Sequence, residues 1–246
     1  MRTGSRRSRL NLLRHKFRSC AKLLLQSPVA SRECNICGYF GHFYPYGSPP
    51  RYDAGCPSCE SLERHRFMKL WIQAHHDRIQ GREILHFAPE AAVTAFIAPM
   101  AGKYVTADID GTKADISIDL EQINLPDCSY DVTICSHVLE HVDDTRAFAE
   151  LHRILRPGGL LLLMTPVIWS WPETYENPGI LSDTDRKLHF GQRDHVRYFG
   201  ADIRERIERS GFDPTMVVAK EPDVSRLALK RGDVLFVCTE NGRAAL

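Results

Sequence analysis

The sequence predicts an α/β protein with a doubly wound, mostly parallel sheet of seven strands and a small N-terminal unit held by four cysteines. Three observations predict this fold. From residue 82 onward, short apolar runs alternate with helical patterns, as in parallel sheets with crossover helices. Upstream, residues 33–60 contain two Cys-x-x-Cys pairs in a segment rich in glycine, proline and aromatic residues. The chain has 246 residues, of which 43% are hydrophobic and 26% charged, which is typical of a soluble protein with one large domain and a smaller part.

The first 32 residues form a basic arm. They contain nine Lys or Arg residues and no acid, whereas residues 33–246 carry 23 bases against 31 acids, a net charge of −8. Over residues 8–26, apolar residues recur at steps of three and four with bases between them, which predicts a basic amphipathic helix. This helix either packs on the surface of the protein or contacts an anionic partner, RNA or a membrane surface.

The arm does not have the pattern of a secretory signal, because basic residues interrupt its apolar positions. No apolar run approaches the roughly 20 residues that a membrane-spanning helix needs, so no transmembrane segment is predicted. We expect a cytoplasmic protein, and the arm leaves open an association with the periphery of the membrane.

Residues 33–60 are predicted to bind zinc through Cys34, Cys37, Cys56 and Cys59, with 18 residues between the two pairs. So short a segment cannot bury an adequate core, and Zn²⁺ held by four thiolates would supply the missing stability. Two disulfides are the alternative, which a reducing cytosol disfavours. Because four thiolates complete a tetrahedral shell, the zinc is expected to be structural.

A connecting helix is predicted over residues 61–81, with Ser61 as its cap and Gly81 at its end. The α/β domain is predicted over residues 82–246. Its parallel strands are predicted at Glu83–Phe87, Tyr104–Ala107, Ile116–Ile118, Asp131–Cys135 and Leu160–Thr165. A helix capped by Asp143 or Asp144 precedes the last of these strands. The C-terminal elements are a charged helix and two antiparallel edge strands, at Asp202–Ser210, Thr215–Ala219 and Asp233–Cys238.

Polar residues follow the ends of the predicted strands, where ligands bind to open doubly wound sheets. Asp108 ends the second strand, 20 residues after Ala88, a spacing at which an acid can bind the ribose hydroxyls of a nucleotide-like cofactor. Asp119 follows the third strand, where a carboxylate can meet an adenine amine. Ser136 and His137 follow the fourth strand. Each of them alone could be an ordinary loop residue, and the ordered series favours a binding site.

Two runs in this region resemble class I S-adenosylmethionine-dependent methyltransferases, in particular the type 11 subgroup. The runs are YDVTICSHVLEHV at residues 130–142 and ELHRILRPGG at residues 150–159. The resemblance covers about residues 82–240. Three further segments are similar to a branch of these enzymes that has an N-terminal zinc-ribbon-like segment. They are CPSCESLERHR at 56–66, LHFAPE at 85–90 and FGQRDHVR at 190–197.

The resemblance implies a Rossmann-like methyltransferase fold with S-adenosylmethionine as the cofactor. Carried over position by position, it implies cofactor contacts from the loop after the first strand, ribose and adenine contacts at the next two strand ends, and pocket walls at the fourth. The cofactor-binding residues so implied are Phe87, Ala88, Glu90, Asp108, Asp119, Leu120, Ser136 and His137.

The first cofactor loop departs from the family pattern of an acid followed by three alternating glycines. This chain has His86 in place of the acid, and Ala88, Glu90 and Ala92 in place of the glycines. Glycine permits unusual dihedral angles and a close approach of the cofactor. Alanine can still permit that approach, and Glu90 is expected to bind the amino group of the methionine moiety. A nicotinamide cofactor is disfavoured, because the dinucleotide fingerprint is absent.

An aromatic and proline-rich loop follows the fifth strand, where a substrate lid would belong. Trp171 and Tyr175 in this loop are candidate substrate-binding residues, and Arg193 and Arg197 beyond it could hold an anionic substrate. The alternative for the two arginines is that they form surface ion pairs.

His195 and its neighbour Asp194 are the candidate catalytic residues, needed only if the acceptor arrives protonated. His141 and His189 are lesser candidates. In the alternative interpretation, Asp194 caps a following helix and His195 is an ordinary loop histidine.

These observations predict a methyltransferase that acts on an unidentified acceptor, which could be a small molecule, a glycan-type molecule or RNA. The altered first loop motivates an alternative from another class, a zinc-containing binding module whose methyltransferase-like body is catalytically inactive. Binding of S-adenosylmethionine separates the two hypotheses.

Overall fold

The computed structural model describes residues 30–47 and 49–241. The basic arm, with the helix predicted over residues 8–26, lies outside the described residues apart from 30–32. The described chain forms two compact units, and each is built from two segments of the chain. The first unit comprises residues 30–75 and 218–233, and the second comprises 76–217 and 234–241.

Thirteen strands are present in the described residues. They are β1 (Arg32–Glu33), β2 (Phe40–Gly41), β3 (Tyr44–Tyr46), β4 (Arg51–Gly55), β5 (Glu83–Phe87), β6 (Lys103–Asp108), β7 (Ile116–Ser117), β8 (Tyr130–Ser136), β9 (Leu155–Met164), β10 (Tyr175–Glu176), β11 (Arg197–Tyr198), β12 (Phe212–Val218) and β13 (Val234–Glu240). The α-helices in the same residues are α1 (Glu63–Ala74), α2 (Ala91–Ile97), α3 (Asp144–Ile154), α4 (Asp183–Phe190), α5 (Ile203–Arg209) and α6 (Asp223–Leu227). Two short 3₁₀ turns lie at His76–Arg78 and Leu139–His141. No helix among these residues is both long and apolar enough to cross a membrane.

Seven strands form one sheet in the order β12-β13-β9-β8-β5-β6-β7. The strands from β9 to β7 are all parallel to their neighbours, and β13 pairs antiparallel with β9. This arrangement confirms the predicted doubly wound, mostly parallel sheet. The strand order reverses between β5 and β8, which places a topological switch point at the carboxyl ends of these two strands.

The central strands are apolar along most of their length because both of their faces are covered. In β8, Val132, Ile134 and Cys135 are buried, and residues 160–164 of β9 are buried without interruption. The core continues into α3 through Phe148 and its apolar neighbours on the same face. As predicted, Asp143 caps α3, since its Oδ1 accepts the backbone N–H groups of Thr145 and Arg146.

The first unit contains two small antiparallel hairpins, β1-β2 and β3-β4, together with α1 and α6. The cluster around the cysteines has four buried residues, Cys34, Phe43, Cys56 and Ala228, and α1 adds further buried apolar side chains, among them Phe67, Met68 and Ile72.

The bounds predicted for the connecting helix are wrong at both ends. Helix α1 begins at Glu63 with Leu62 as its N-cap, and it ends at Ala74 before a 3₁₀ turn. Ser61 does not cap the helix, because its side chain is buried among the cysteine sulfurs, 3.2 Å from Cys59 Sγ.

Candidate functional site

The candidate site lies at the carboxyl ends of the parallel strands, centred on the switch point. Phe87 at the end of β5 pairs with Cys135 in β8, so the loops that leave the two strands start side by side. Ala107 in β6 is the partner of Phe87 on its other side. The sheet therefore brings the residues after β5, β6 and β8 to one edge, as predicted.

Two residues at this edge adopt the left-handed conformation that glycine favours. Ala88 has φ +48°, and its N–H donates to Ala107 O at 2.8 Å. His137 has φ +57°, and its N–H donates to Met164 O at 2.7 Å. Left-handed backbone costs a non-glycine residue roughly 1–2 kcal/mol. The predicted first cofactor loop thus contains a left-handed residue, a conformation that glycine favours, although alanine stands there.

Glu90 ends this loop as the N-cap residue of α2 and is partly buried. Its backbone carbonyl accepts the N–H groups of Val93 and Thr94, at 2.9 and 3.0 Å. The helix start is therefore made by backbone hydrogen bonds, with no capping bond from the Glu90 side chain to the helix.

Asp108 is the last residue of β6, and its Oδ1 accepts the N–H of Asp110 at 2.8 Å. Asp119 is exposed and makes the same type of turn, with its Oδ1 2.9 Å from the N–H of Glu121. Leu120 beside it is buried in the core of the second unit. These turns fix the backbone at both positions where the sequence predicts nucleoside contacts.

Ser136 ends β8 with 4% of its surface exposed, and its Oγ has no hydrogen-bond partner among the described residues. An unsatisfied buried hydroxyl costs roughly 1–3 kcal/mol, and such groups are rare without a functional reason. Ser136 is therefore suited to bind a polar ligand at the switch point.

A cluster of polar residues follows Ser136. The Glu140 side chain is 3% exposed, accepts the Thr165 hydroxyl at 2.9 Å and lies 3.3 Å from His137 Nδ1. Burial opposes ionisation of Glu140, but the hydrogen bond and positive charge of His137 outweigh it, so the pKa of Glu140 lies below its usual range. Glu140 is a functional candidate that the sequence pattern did not indicate, although it lies in the LEHV segment that resembles the family.

His195 lies against this cluster and is 4% exposed. Its ring packs edge-on against the His141 ring, with centroids 4.6 Å apart and an interplanar angle of 90°. Burial lowers the pKa of His195, which favours the neutral imidazole. Asp194 is exposed, and its Oδ2 lies 3.5 Å from His141 Nδ1. The alternative interpretation, in which Asp194 caps a following helix, is wrong, because the next element after Asp194 is the strand β11.

The predicted substrate loop carries a cluster of aromatic rings. Trp171 and Tyr175 contact each other edge-to-face at 6.2 Å and are 38% and 36% exposed. Tyr175 also packs on Phe190, and its hydroxyl lies 2.7 Å from His189 Nδ1. The structure thus brings together two predicted substrate residues and the lesser catalytic candidate His189.

The two predicted substrate arginines have different environments. Arg193 is exposed, whereas the Arg197 side chain is 8% exposed and forms ion pairs with Asp144 at 2.5 Å and Glu176 at 3.0 Å. Two carboxylates already neutralise Arg197, so its charge serves a buried ion-pair network. Arg197 therefore forms ion pairs, as in the alternative interpretation, although these are buried and not on the surface. Arg197 is not a candidate for substrate binding.

The four N-terminal cysteines cluster in the first unit. Cys34 Sγ lies 3.6 Å from Cys59 Sγ, and Cys37 Sγ lies 3.7 Å from Cys56 Sγ. All four sulfurs are within 4.8 Å of one another. Four thiolates about 2.3 Å from a tetrahedral Zn²⁺ would be separated by roughly 3.8 Å. The cluster therefore has the dimensions of a four-cysteine zinc site.

Comparison with known proteins supports the family resemblance. Residues 91–163 match the family model described as "Methyltransferase domain". A protein of Mycolicibacterium smegmatis, named "Probable S-adenosylmethionine-dependent methyltransferase", is 33% identical over 116 residues, which cover 39% of this chain and 45% of that protein. A Mycobacterium tuberculosis protein with a name of the same form is 25% identical over 160 residues, covering 53% of this chain and 58% of that protein.

The chain thus spans about half the length of the curated relatives that it matches. Among solved structures, an S-adenosylmethionine-dependent methyltransferase from Mesorhizobium loti matches with a TM-score of 0.50 and 16% identity, over 70% of this chain and 96% of that chain. At this identity the structural match establishes the fold. The second unit therefore has the Rossmann-like fold of S-adenosylmethionine-dependent methyltransferases, and residues 91–163 within it match the methyltransferase domain model.

Proposed function

We propose that the protein transfers a methyl group from S-adenosylmethionine to an acceptor that binds at the carboxyl edge of the sheet. The observation that carries the proposal is Ser136, a buried hydroxyl without a partner among the described residues, located at the switch point. Open doubly wound sheets bind their ligands at this point. Ala88 and His137, in the loops that leave the neighbouring strands β5 and β8 at this edge, both adopt the left-handed backbone conformation.

The proposed cofactor contacts follow the strand ends. The loop of Phe87, Ala88 and Glu90 binds the methionine moiety, with the Glu90 carboxylate on its amino group. Asp108 accepts hydrogen bonds from the ribose hydroxyls. Asp119 and Leu120 contact the adenine. Ser136 and His137 form the wall of the cofactor pocket.

The cofactor supplies a methyl group that its sulfonium already activates. The task of the protein is to align the acceptor with the methyl–sulfur bond and to exclude water. His195 is the proposed base. Burial lowers its pKa, so its imidazole is neutral at neutral pH and can accept a proton. Asp194 contacts His141, so we propose that it acts through that ring, which packs against His195.

The acceptor is proposed to bind beside the exposed rings of Trp171 and Tyr175 and the exposed Arg193. Aromatic rings and a cation suit a planar or sugar-containing molecule that bears negative charge. A small molecule, a glycan-type molecule and RNA all satisfy this description. RNA or an anionic membrane would use the basic arm of residues 1–32.

Calorimetric titration of the zinc-loaded protein with S-adenosylmethionine tests the proposal. We expect one binding site, and a 10- to 100-fold loss of affinity in Asp108→Asn, because hydrogen bonds to a charged group are worth roughly 1.5–3 kcal/mol. Asparagine retains the acceptor for the Asp110 N–H, so the turn is preserved. Asp77→Asn, at an exposed aspartate in a 3₁₀ turn, is the matched control and should bind normally.

Two outcomes would contradict the proposal in different ways. No binding by the folded wild-type protein would favour the alternative of an inactive, zinc-containing binding module. Normal binding by Asp108→Asn would overturn the ribose assignment alone. Where the cofactor binds, mass spectrometry of RNA and metabolite extracts incubated with labelled cofactor identifies the acceptor.

A further inference from the structure

We propose that Glu140, His141 and His195 form a second metal site, which binds a divalent transition-metal ion. One ligand atom from each of the three side chains lies within 4.8 Å of the others. Two imidazoles and a carboxylate are a ligand set used for Zn²⁺ in sites that keep an open position. Imidazole nitrogen favours zinc, iron, nickel and copper, whereas magnesium and calcium prefer oxygen.

The two segments that supply these ligands are held together by the backbone. Glu140 and His141 belong to the 3₁₀ turn after β8, and His195 lies in the segment before β11. The N–H of Val196 donates to Glu140 O at 2.9 Å. The three side chains are therefore fixed near one another without a metal ion, which lowers the cost of binding one.

The burial of the ligands also favours a metal ion. Glu140 and His195 are 2% and 4% exposed, and Nδ1 of His195 has no hydrogen-bond partner among the described residues. A buried ring nitrogen without a partner is costly in a purely structural role. Bound metal would engage a nitrogen of this ring, so that His195 would act as a ligand in place of a free base, and would neutralise the buried carboxylate of Glu140.

Further contacts orient the ligands, as is usual around metal sites. The Thr165 hydroxyl donates to Glu140 Oε2, which leaves Oε1 facing His137 Nδ1 at 3.3 Å. His141 Nδ1 lies 3.2 Å from the Asp194 carbonyl oxygen and 3.5 Å from its Oδ2. His141 is thus arranged to offer Nε2 to the metal while Nδ1–H donates to Asp194.

Three protein ligands leave at least one coordination position for a small ligand. The His141 side chain is 29% exposed, so the site reaches solvent on that side. We infer that this position takes an oxygen ligand, and, resting on the proposed function, that the oxygen belongs to the methyl acceptor. The acceptor class would then be molecules with a hydroxyl or carboxylate oxygen beside the methylated atom.

Cobalt substitution tests the site separately from the four-cysteine cluster. We expect full-length protein that is stripped of metal and reloaded with Co²⁺ to hold two ions per chain, one of them with the intense thiolate-to-cobalt absorption of a cysteine site. Glu140→Gln and His195→Ala should each retain the thiolate band and lose one ion. His76→Ala, at an exposed histidine outside the cluster, is the matched control and should retain both.

One ion per wild-type chain, or two ions in both ligand variants, would overturn the proposal. Using two variants guards against a folding defect in one, and the thiolate band reports on folding of the first unit. Titration with S-adenosylmethionine on the same samples separates the hypotheses. Cofactor binding with a single cobalt ion would defeat the second metal site and leave the proposed function intact.

Discussion

At the scale of single residues, the first unit depends on one buried arginine. Arg66 is fully buried and donates to four backbone carbonyls at 2.7–2.9 Å, those of Ala54, Ser61, Leu227 and Ala228. Its guanidinium also lies over the Phe43 ring, 4.6 Å from the centroid. The five N–H groups of arginine suit this task, since one side chain joins segments that are about 160 residues apart in the sequence.

Replacing Arg66 by methionine should lower the free energy of unfolding by about 3–5 kcal/mol, because four buried carbonyls lose their donor. Lysine should not restore stability, since one ammonium group cannot reach all four acceptors. Arg231→Met is the control: Arg231 is exposed, pairs with Glu221 and should cost less than about 1 kcal/mol. Urea unfolding measures all three variants, and a loss under 1 kcal/mol in Arg66→Met would contradict this account.

At the scale of elements, the polar residues of the second family segment have a structural role. Arg153 on α3 pairs with Glu150 and donates to the carbonyls of Ile123 and Leu125 at 2.7 and 2.8 Å. Glu150 in turn accepts the N–H of Ile123 at 2.7 Å. The pair therefore fastens the loop after β7 to α3.

This pair predicts a pH dependence of stability. The Arg153 hydrogen bonds hold the pKa of Glu150 below its usual range, so the stability that they supply is present above about pH 4.5 and is lost as the pH falls through the lowered value. Glu150→Gln should cost roughly 1–3 kcal/mol at pH 7 and progressively less below pH 4.5. Urea unfolding at a series of pH values measures it.

Glu205→Gln is the matched control for that series. Glu205 is exposed on α5 and contacts Arg209 at 3.9 Å, so its loss should change stability by less than about 0.5 kcal/mol at any pH. If the cost of Glu150→Gln were the same at pH 3 as at pH 7, the ionised pair would not be its cause.

The strands of the sheet could be predicted because burial on both faces makes them apolar. The predicted Glu83–Phe87 is β5, and Asp131–Cys135 lies within β8. Elements with polar or mixed composition were harder to predict. Helix α4, which follows the predicted substrate loop, has a single buried residue, Phe190, and hence almost no apolar pattern to detect.

The candidate site shows the same limit. Spacing along the chain located the strand ends and therefore Asp108 and Ser136, because parallel strands bring their carboxyl ends to one edge. Spacing could not show that Arg197 meets Asp144 and Glu176, which are distant in sequence and buried with it. Nor could it show that His195 packs on His141, since that contact depends on tertiary structure.

At the scale of the whole molecule, the chain leaves the first unit at residue 75 and returns to it at residues 218–233. The returning segment contains α6, whose Arg226 pairs with Glu33 at 3.0 Å, and Ser225, whose carbonyl accepts Arg32 at 2.6 Å. Such long-range pairs left no local pattern in the sequence. The first unit is therefore closed by two distant segments of the chain, and zinc held by its four cysteines should contribute to its stability.

Removing zinc should unfold the first unit selectively. In Cys56→Ser, hydrogen–deuterium exchange should increase in peptides from residues 30–75 and 218–233, because a tetrahedral site that loses one thiolate holds its metal weakly. Peptides from β8 and β9 should remain protected, since their core contains none of the four cysteines.

Cys128→Ser is the matched control for this experiment, because Cys128 is an exposed free thiol in the second unit and its replacement should leave every peptide unchanged. A mutant is preferable to a chelator here, since a chelator would also empty the metal site proposed at Glu140, His141 and His195. Unchanged protection of residues 218–233 in Cys56→Ser would show that the returning segment folds without the zinc site. Equal loss of protection in β8 and β9 would show that the two units unfold as one, and either result would contradict the dependence of the first unit alone on its metal.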